Sequence, residues 1–263
     1  MKLAWCTDIH LNFLEKEGRE RFIDKIERAR ADALVVTGDI TVAPALEAHL
    51  EEIASRLTAP IYFVLGNHDF WGSSFAAVHE RMKRLSARSP RLRWLGCAGV
   101  VPLSKKTALV GDDGWYDGRL GDYERSKILL NDFVRVEDFA YMGKAQRLTK
   151  INALGDESAS RLRELLEKVD RDEVIVATHV PPFRDAAWHD GELSDDDWLP
   201  LMSCKAIGDV LLESARAHPG RRFTVLCGHT HGEGEARLAP NLVVRTGGAE
   251  YRSPALQPLI EVA

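Results

Sequence analysis

Cysteine is scarce. The 263 residues hold four (Cys6, Cys97, Cys204, Cys227) with no C-x-x-C pair, which excludes both a disulfide framework and a cysteine-built zinc cage. Reduced thiols, mostly in the core, are the expectation. No apolar run exceeds strand length, so no membrane-spanning helix is expected. The opening Met1–Asp8 lacks the apolar core of a secretion signal, which points to the cytoplasm. A basic excess is missing too, since the formal net charge is -5, and this disfavours the cationic footprint of a nucleic-acid binder. There is no G-x-S-x-G nucleophile turn. No Pro/Gly/Ser-rich linker breaks the chain, so one domain over 1–263 is expected, and a hydrophobic fraction of 45% is ample for its core.

What the chain does have is a series of short apolar runs, each ending in polar residues. Residues 2–6, 33–37, 61–65, 174–178, 223–227 and 242–246 read as buried strands. Amphipathic helices are expected at 17–31, 45–57, 73–87, 157–169 and 205–217. Their alternation predicts an α/β fold with parallel strands joined by crossover helices. Short β segments near 92–95, 99–102 and 107–110 are expected to make antiparallel turns at the sheet edge or in a second sheet. Residues 111–150 and 181–200 read as loops, long enough to shape a substrate site or act as a lid.

Chemistry gathers at the strand ends, where open α/β sheets bind their ligands. Asp8 and His10 follow the first strand and Asp39 the second. The third ends in Gly66-Asn67-His68-Asp69, the fourth in His179, and the fifth in Gly228-His229-Thr230-His231. Asp8, His10, Asp39, Asn67, His179, His229 and His231 mix imidazole, carboxylate and amide oxygen. That donor set suits Mn, Fe, Zn or Ni better than Mg or Ca. Seven donors exceed one tetrahedral ion, whereas two ions bridged by one carboxylate would use them all and keep positions open for water and substrate.

In this order the motifs resemble the calcineurin-like metallophosphoesterase superfamily. The resemblance implies a four-layer αββα sandwich of two mixed β-sheets flanked by helices. It also implies two divalent transition-metal ions, manganese foremost. Asp8, His10 and His231 would hold one and Asn67, His179 and His229 the other, with Asp39 bridging. The implied reaction is hydrolysis of a phosphodiester or phosphomonoester by metal-bound hydroxide. His68 would serve as the acid beside the metals, and Asp69 would accept its other imidazole N–H. Val42 stands where purple acid phosphatases carry a metal-binding Tyr. Ile40-Thr41-Val42-Ala43 and Asp69 also depart from the Ser/Thr protein phosphatases, so neither branch is expected.

For substrate, Trp115 and Tyr116 are candidates to stack on a base or sugar, and Arg184 to clamp a phosphate. A small phosphorylated partner is expected, a nucleotide or other phosphodiester, with the reading leaning to diesters. Two alternatives compete with it. A silent scaffold of the same fold should lack a ligand or His68, and none is missing. A nuclease should show a basic channel, and none is evident.

Overall fold

A computed structural model describes all 263 residues. In chain order the strands are β1 (Lys2–Cys6), β2 (Ala33–Thr37), β3 (Ile61–Val64), β4 (Leu92–Trp94), β5 (Val101–Pro102), β6 (Thr107–Gly111) and β7 (Glu173–Ala177). After them come β8 (Trp188–His189), β9 (Glu192–Leu193), β10 (Arg222–Cys227), β11 (Gly234–Ala239), β12 (Leu242–Thr246) and β13 (Ile260–Glu261). One sheet has the order β13-β1-β2-β3-β4, the other β11-β12-β10-β7-β6-β5. Both are mixed: β1 to β4 run parallel with β13 antiparallel, and β6, β7, β10 and β12 run parallel between antiparallel β5 and β11.

Each inner strand is apolar on both faces because each face meets a different layer. Leu3, Trp5, Ala33, Val35, Tyr62 and Val64 of the first sheet pack against Leu109, Ile175, Ala177 and Leu226 of the second. The alternate residues, such as Ala4, Cys6, Val36, Phe63, Val174, Val176 and Val225, face the helices. This two-residue alternation makes the four-layer sandwich, with helices Lys16–Ala29, Leu46–Arg56, Phe75–Arg88, Lys144–Glu167 and Lys205–Ala217 as its outer layers.

Three expectations need correction. Residues 92–94 do not make an antiparallel turn. β4 runs parallel to β3, because helix Phe75–Arg88 returns the chain to the start of the sheet. The helix expected at 157–169 begins at Lys144, so the loop from 111 ends at Gly143. Its first turns hide from an apolar pattern because they bury Ile151 beside small residues such as Gly155 and Ser158, and because Gln146 caps the Gly143 N–H at 2.8 Å. Strands β11 and β13 lie outside the expected set, since both are half exposed and carry charged residues.

Candidate metal centre

The seven expected donors converge where the carboxyl ends of β1, β2, β3, β7 and β10 meet between the sheets. Asp8, His10, Asp39, His229 and His231 all have positive φ, between 41° and 70°, and they are five of the nine non-glycine residues that do. Asp and His tolerate this region better than most side chains, but each such residue still costs about 1–3 kcal/mol. The strained turns swing consecutive donors inward directly from the strand ends. Close approach is needed as well. A Cβ on Gly66 would strike the Asp39 carboxylate, and one on Gly228 would strike Thr7 and Asp8.

The hydrogen bonds fix which atoms face inward. His179 Nδ1 lies 2.8 Å from the Thr37 carbonyl and His229 Nε2 lies 2.9 Å from the Leu201 carbonyl. A carbonyl only accepts, so these nitrogens carry the protons, and His179 Nε2 and His229 Nδ1 keep lone pairs. Both lone pairs point at Asn67 Oδ1, at 3.1 and 2.9 Å. That atom is also an acceptor, because Asn67 Nδ2 donates to Asp132 Oδ1 at 2.8 Å. Three acceptors therefore meet with no donor among them. A cation resolves that conflict and a hydrogen bond does not.

A second convergence lies beside the first. His10 Nε2 and His231 Nε2 are 3.2 Å apart, and His231 Nε2 is 3.5 Å from Asp8 Oδ1. Asp39 stands between the two groups, with Oδ1 3.4 Å from His179 Nε2 and Oδ2 3.8 Å from both His10 Nε2 and His68 Nε2.

Burial sets the charges. It holds the imidazoles of His10 down to about 3, His68 to about 2 and His179 to about 4, so all three are neutral at pH 7. Asp39 is pushed well above the carboxylate range by burial and by the nearby Asp8. Burial also raises Asp8, but the His231 hydrogen bond and the surrounding imidazoles outweigh it and hold Asp8 well below that range. Against burial, the Asp8 hydrogen bond raises the His231 imidazole, and no Lys or Arg is among the groups that shift either carboxyl, an arrangement suited to divalent cations.

His68 lies at the edge of the centre. Its ring stacks on Trp71 at 3.6 Å, and its Nδ1 is buried without a partner. Asp69, expected to accept the His68 N–H, is engaged elsewhere. Its Oδ1 accepts the Thr41 N–H and its Oδ2 the Gly66 N–H, both at 2.9 Å. Asp69 sits at the third position of the turn Asn67–Phe70, so its side chain reaches back to the amide of Gly66, which caps the turn, rather than to the neighbouring ring.

The expected substrate aromatics are also corrected. Trp115 and Tyr116 are 3% and 0% exposed and pack among Phe70, Phe75, Phe133 and Phe139, so neither offers a face to substrate. Arg184 is exposed, but its charge is matched by Asp196 of the same loop at 2.7 Å. Asp112 pairs with Arg161 and Asp113 with His79, which turns both away from the centre. His189 bonds the carbonyl of Thr230, between His229 and His231, at 2.8 Å.

Sequence reasoning misses Asp132. This fully buried carboxylate accepts from Asn67 Nδ2, from Trp71 Nε1 at 2.6 Å and from Tyr116 Oη at 3.0 Å. It thereby sets the orientation of the Asn67 amide and the plane of the ring under His68. No signal in the sequence points to it, since it lies 65 residues from Asn67 in a charged, irregular stretch.

Fold and donor set define a metal-dependent phosphoesterase hydrolase, and the comparisons agree. The family model described as calcineurin-like phosphoesterase matches residues 1–233. The chain belongs to the calcineurin-like phosphoesterase family, which implies a dinuclear divalent metal centre. Phosphopantetheinyl hydrolase (PptH) from Mycobacterium tuberculosis superposes with a TM-score of 0.66 at 14% identity, over 94% of this chain and 89% of that one. A dimetal phosphatase from Danio rerio gives 0.58 at 16%, over 94% and 87%, and TT1561 of Thermus thermophilus gives 0.59 at 15%, over 97% of each chain. At these identities the likeness is one of fold. No curated protein gives a significant sequence match, and no helix is long and apolar enough to cross a membrane.

Proposed function

We propose that this phosphoesterase hydrolyses a small phosphoester, a diester in preference to a monoester, at a centre for two divalent transition-metal ions, manganese foremost. The observation that carries the reading is the donor-free meeting of His179 Nε2, His229 Nδ1 and Asn67 Oδ1. Asn67, His179 and His229 would hold one ion and Asp8, His10 and His231 the other. Asp39, with one oxygen toward each group, would reach both. Such a pair of ions supplies Lewis-acid polarisation of phosphoryl oxygens and an acidified water for in-line displacement.

The chain's own residues do the rest. His68 is neutral, and with Nδ1 unpartnered it can keep its single proton on Nε2, facing the centre, where that N–H can donate a hydrogen bond to the charge building on the leaving oxygen. Trp71 fixes the plane of that ring, and Asp132 fixes both Trp71 and Asn67. The ribbon β8–β9 within loop 181–200 lies against the His229–His231 turn, as a lid would, through His189 and the Gly232 N–H to Trp188 bond. The net charge of -5 disfavours nucleic acid as substrate, and four free thiols accord with a cytoplasmic location.

The test is turnover of bis(p-nitrophenyl) phosphate and p-nitrophenyl phosphate by chelator-stripped protein, with and without Mn(II). Turnover should require metal, favour the diester, and fall by about 10²–10⁴-fold in His68→Ala with the fold unchanged. Turnover indifferent to both metal and His68 would refute the reading.

A further inference from the structure

Two aromatic rings stand at the mouth of the centre without contributing a metal donor. Phe13 ends the short turn Leu11–Phe13 that follows the ligand His10. Tyr251 comes from the segment after β12, beyond residue 233 where the family match ends. Its ring stacks on the His10 imidazole at 4.5 Å and 30°, lies 4.9 Å from His231 and 6.4 Å from His68. Phe13 meets Tyr251 edge to face at 5.1 Å and 74°, which makes a corner over the centre.

The corner is open although its chemistry favours burial. Phe13 is 41% and Tyr251 45% exposed, whereas Trp5, Phe22, Phe63 and Phe70 of the core are at most 3% exposed. One face of Tyr251 rests on His10, so its exposure lies on the outer face and edge. Looseness does not explain it. Ala249 N–H donates to the His231 carbonyl at 3.0 Å, Ser253 N–H to Glu250 at 3.1 Å and Gln257 N–H to Trp5 at 2.9 Å, which pins the segment on both sides of the ring. The phenol makes no hydrogen bond, and burial together with Asp39 and Asp8 pushes it up to about 12, so it remains neutral.

We infer that Phe13 and Tyr251 form a stacking subsite for a flat ring carried by the phosphoester, which makes the substrate an aryl or nucleoside ester in preference to a simple alkyl one. A phosphoryl group over His10 and His231 would bring its substituent against this corner, where a planar ring gains a face contact from Tyr251 and an edge contact from Phe13. The inference rests on the phosphoester reading and specifies the class of group recognised.

Equilibrium binding separates the two. Phenylphosphonate and methylphosphonate present the same charged group and differ in the ring, and both are titrated into Mn(II)-loaded protein by calorimetry. The wild type should prefer the phenyl compound by about 10-fold, within the roughly 5- to 150-fold span of one stacked ring. Tyr251→Ala and Phe13→Ala should erase most of that preference with little change for methylphosphonate, Tyr251→Leu should erase it despite similar apolar bulk, and Tyr251→Phe should retain it. Equal wild-type affinities, or a preference that survives in the double alanine variant, would overturn the subsite and leave the phosphoester reading standing. Equal loss of both ligands in Tyr251→Ala would show that the ring merely supports His10, which also overturns it. Failure of the wild type to bind either phosphonate would sink the phosphoester reading, and the subsite with it.

Discussion

The two sheets contribute unlike halves to the centre. The ends of β1, β2 and β3 bring every carboxylate and amide donor, Asp8, Asp39 and Asn67, together with His10. The ends of β7 and β10 bring imidazoles alone, His179, His229 and His231. The first half by itself is an uncompensated buried charge, and the second is a set of imidazoles with no carboxylate to balance a divalent cation. Bonds across the sheets join them: the His229 N–H to both oxygens of Asp8 at 3.1 and 3.0 Å, and the His179 ring to the Thr37 carbonyl at 2.8 Å. The centre is thus a property of the packing between sheets, and the layer containing Trp5, Val35, Ile175 and Leu226 is part of its construction.

Breaking that layer should have the largest effect on stability. Leu226→Ala removes a fully buried side chain between the sheets and should cost about 2–5 kcal/mol in urea unfolding. It should also weaken metal binding at both groups together, because β10 carries His229 and His231. Weakening at one group alone would mean that the halves are independent. Metal removal asks the reverse question, whether the centre holds the sheets. With free metal at about 100 times its dissociation constant, each ion contributes about 2.7 kcal/mol, so a chelator should lower the melting temperature by roughly 5–10 °C per ion removed for a chain of this size. An unchanged transition would show that the sheets do not depend on the ions. The smallest effect sharpens the comparison within the first half. Asp132→Asn lets the Asn67 amide turn over and should lower metal affinity about 10- to 100-fold at the Asn67 group, leaving the Asp8 group intact, as read by two-step metal titration.

Much of this is legible in the sequence, for a local reason. Each candidate ligand directly follows a strand that is apolar on both faces, so strand and donor are adjacent in the chain and the motif marks both. Asp132 and the Phe13–Tyr251 corner act across the fold, and their partners are set by packing that no short window of sequence encodes. The same holds for the errors. Trp115 and Tyr116 follow a strand as the ligands do, but the turn at Gly114 carries them into the aromatic cluster under helix Phe75–Arg88. Adjacency pairs Asp69 with its neighbour His68, whereas the turn geometry gives its oxygens to the backbone of Gly66 and Thr41. Helix Lys144–Glu167 shows the limit for secondary structure, since its second half announces itself through Leu162 and Leu166, whereas Gly155, Ser158 and Ala159 in the middle of the buried face interrupt the apolar period toward its start.

The measurement that bears most directly on a centre shared between the sheets is the metal content of desalted, Mn(II)-loaded protein, wild type beside Asp39→Asn. The account predicts two ions per chain in the wild type and, because Asp39 faces both groups, weaker retention of both in the variant. One ion per chain in the wild type, or a variant that keeps both as tightly, would contradict it.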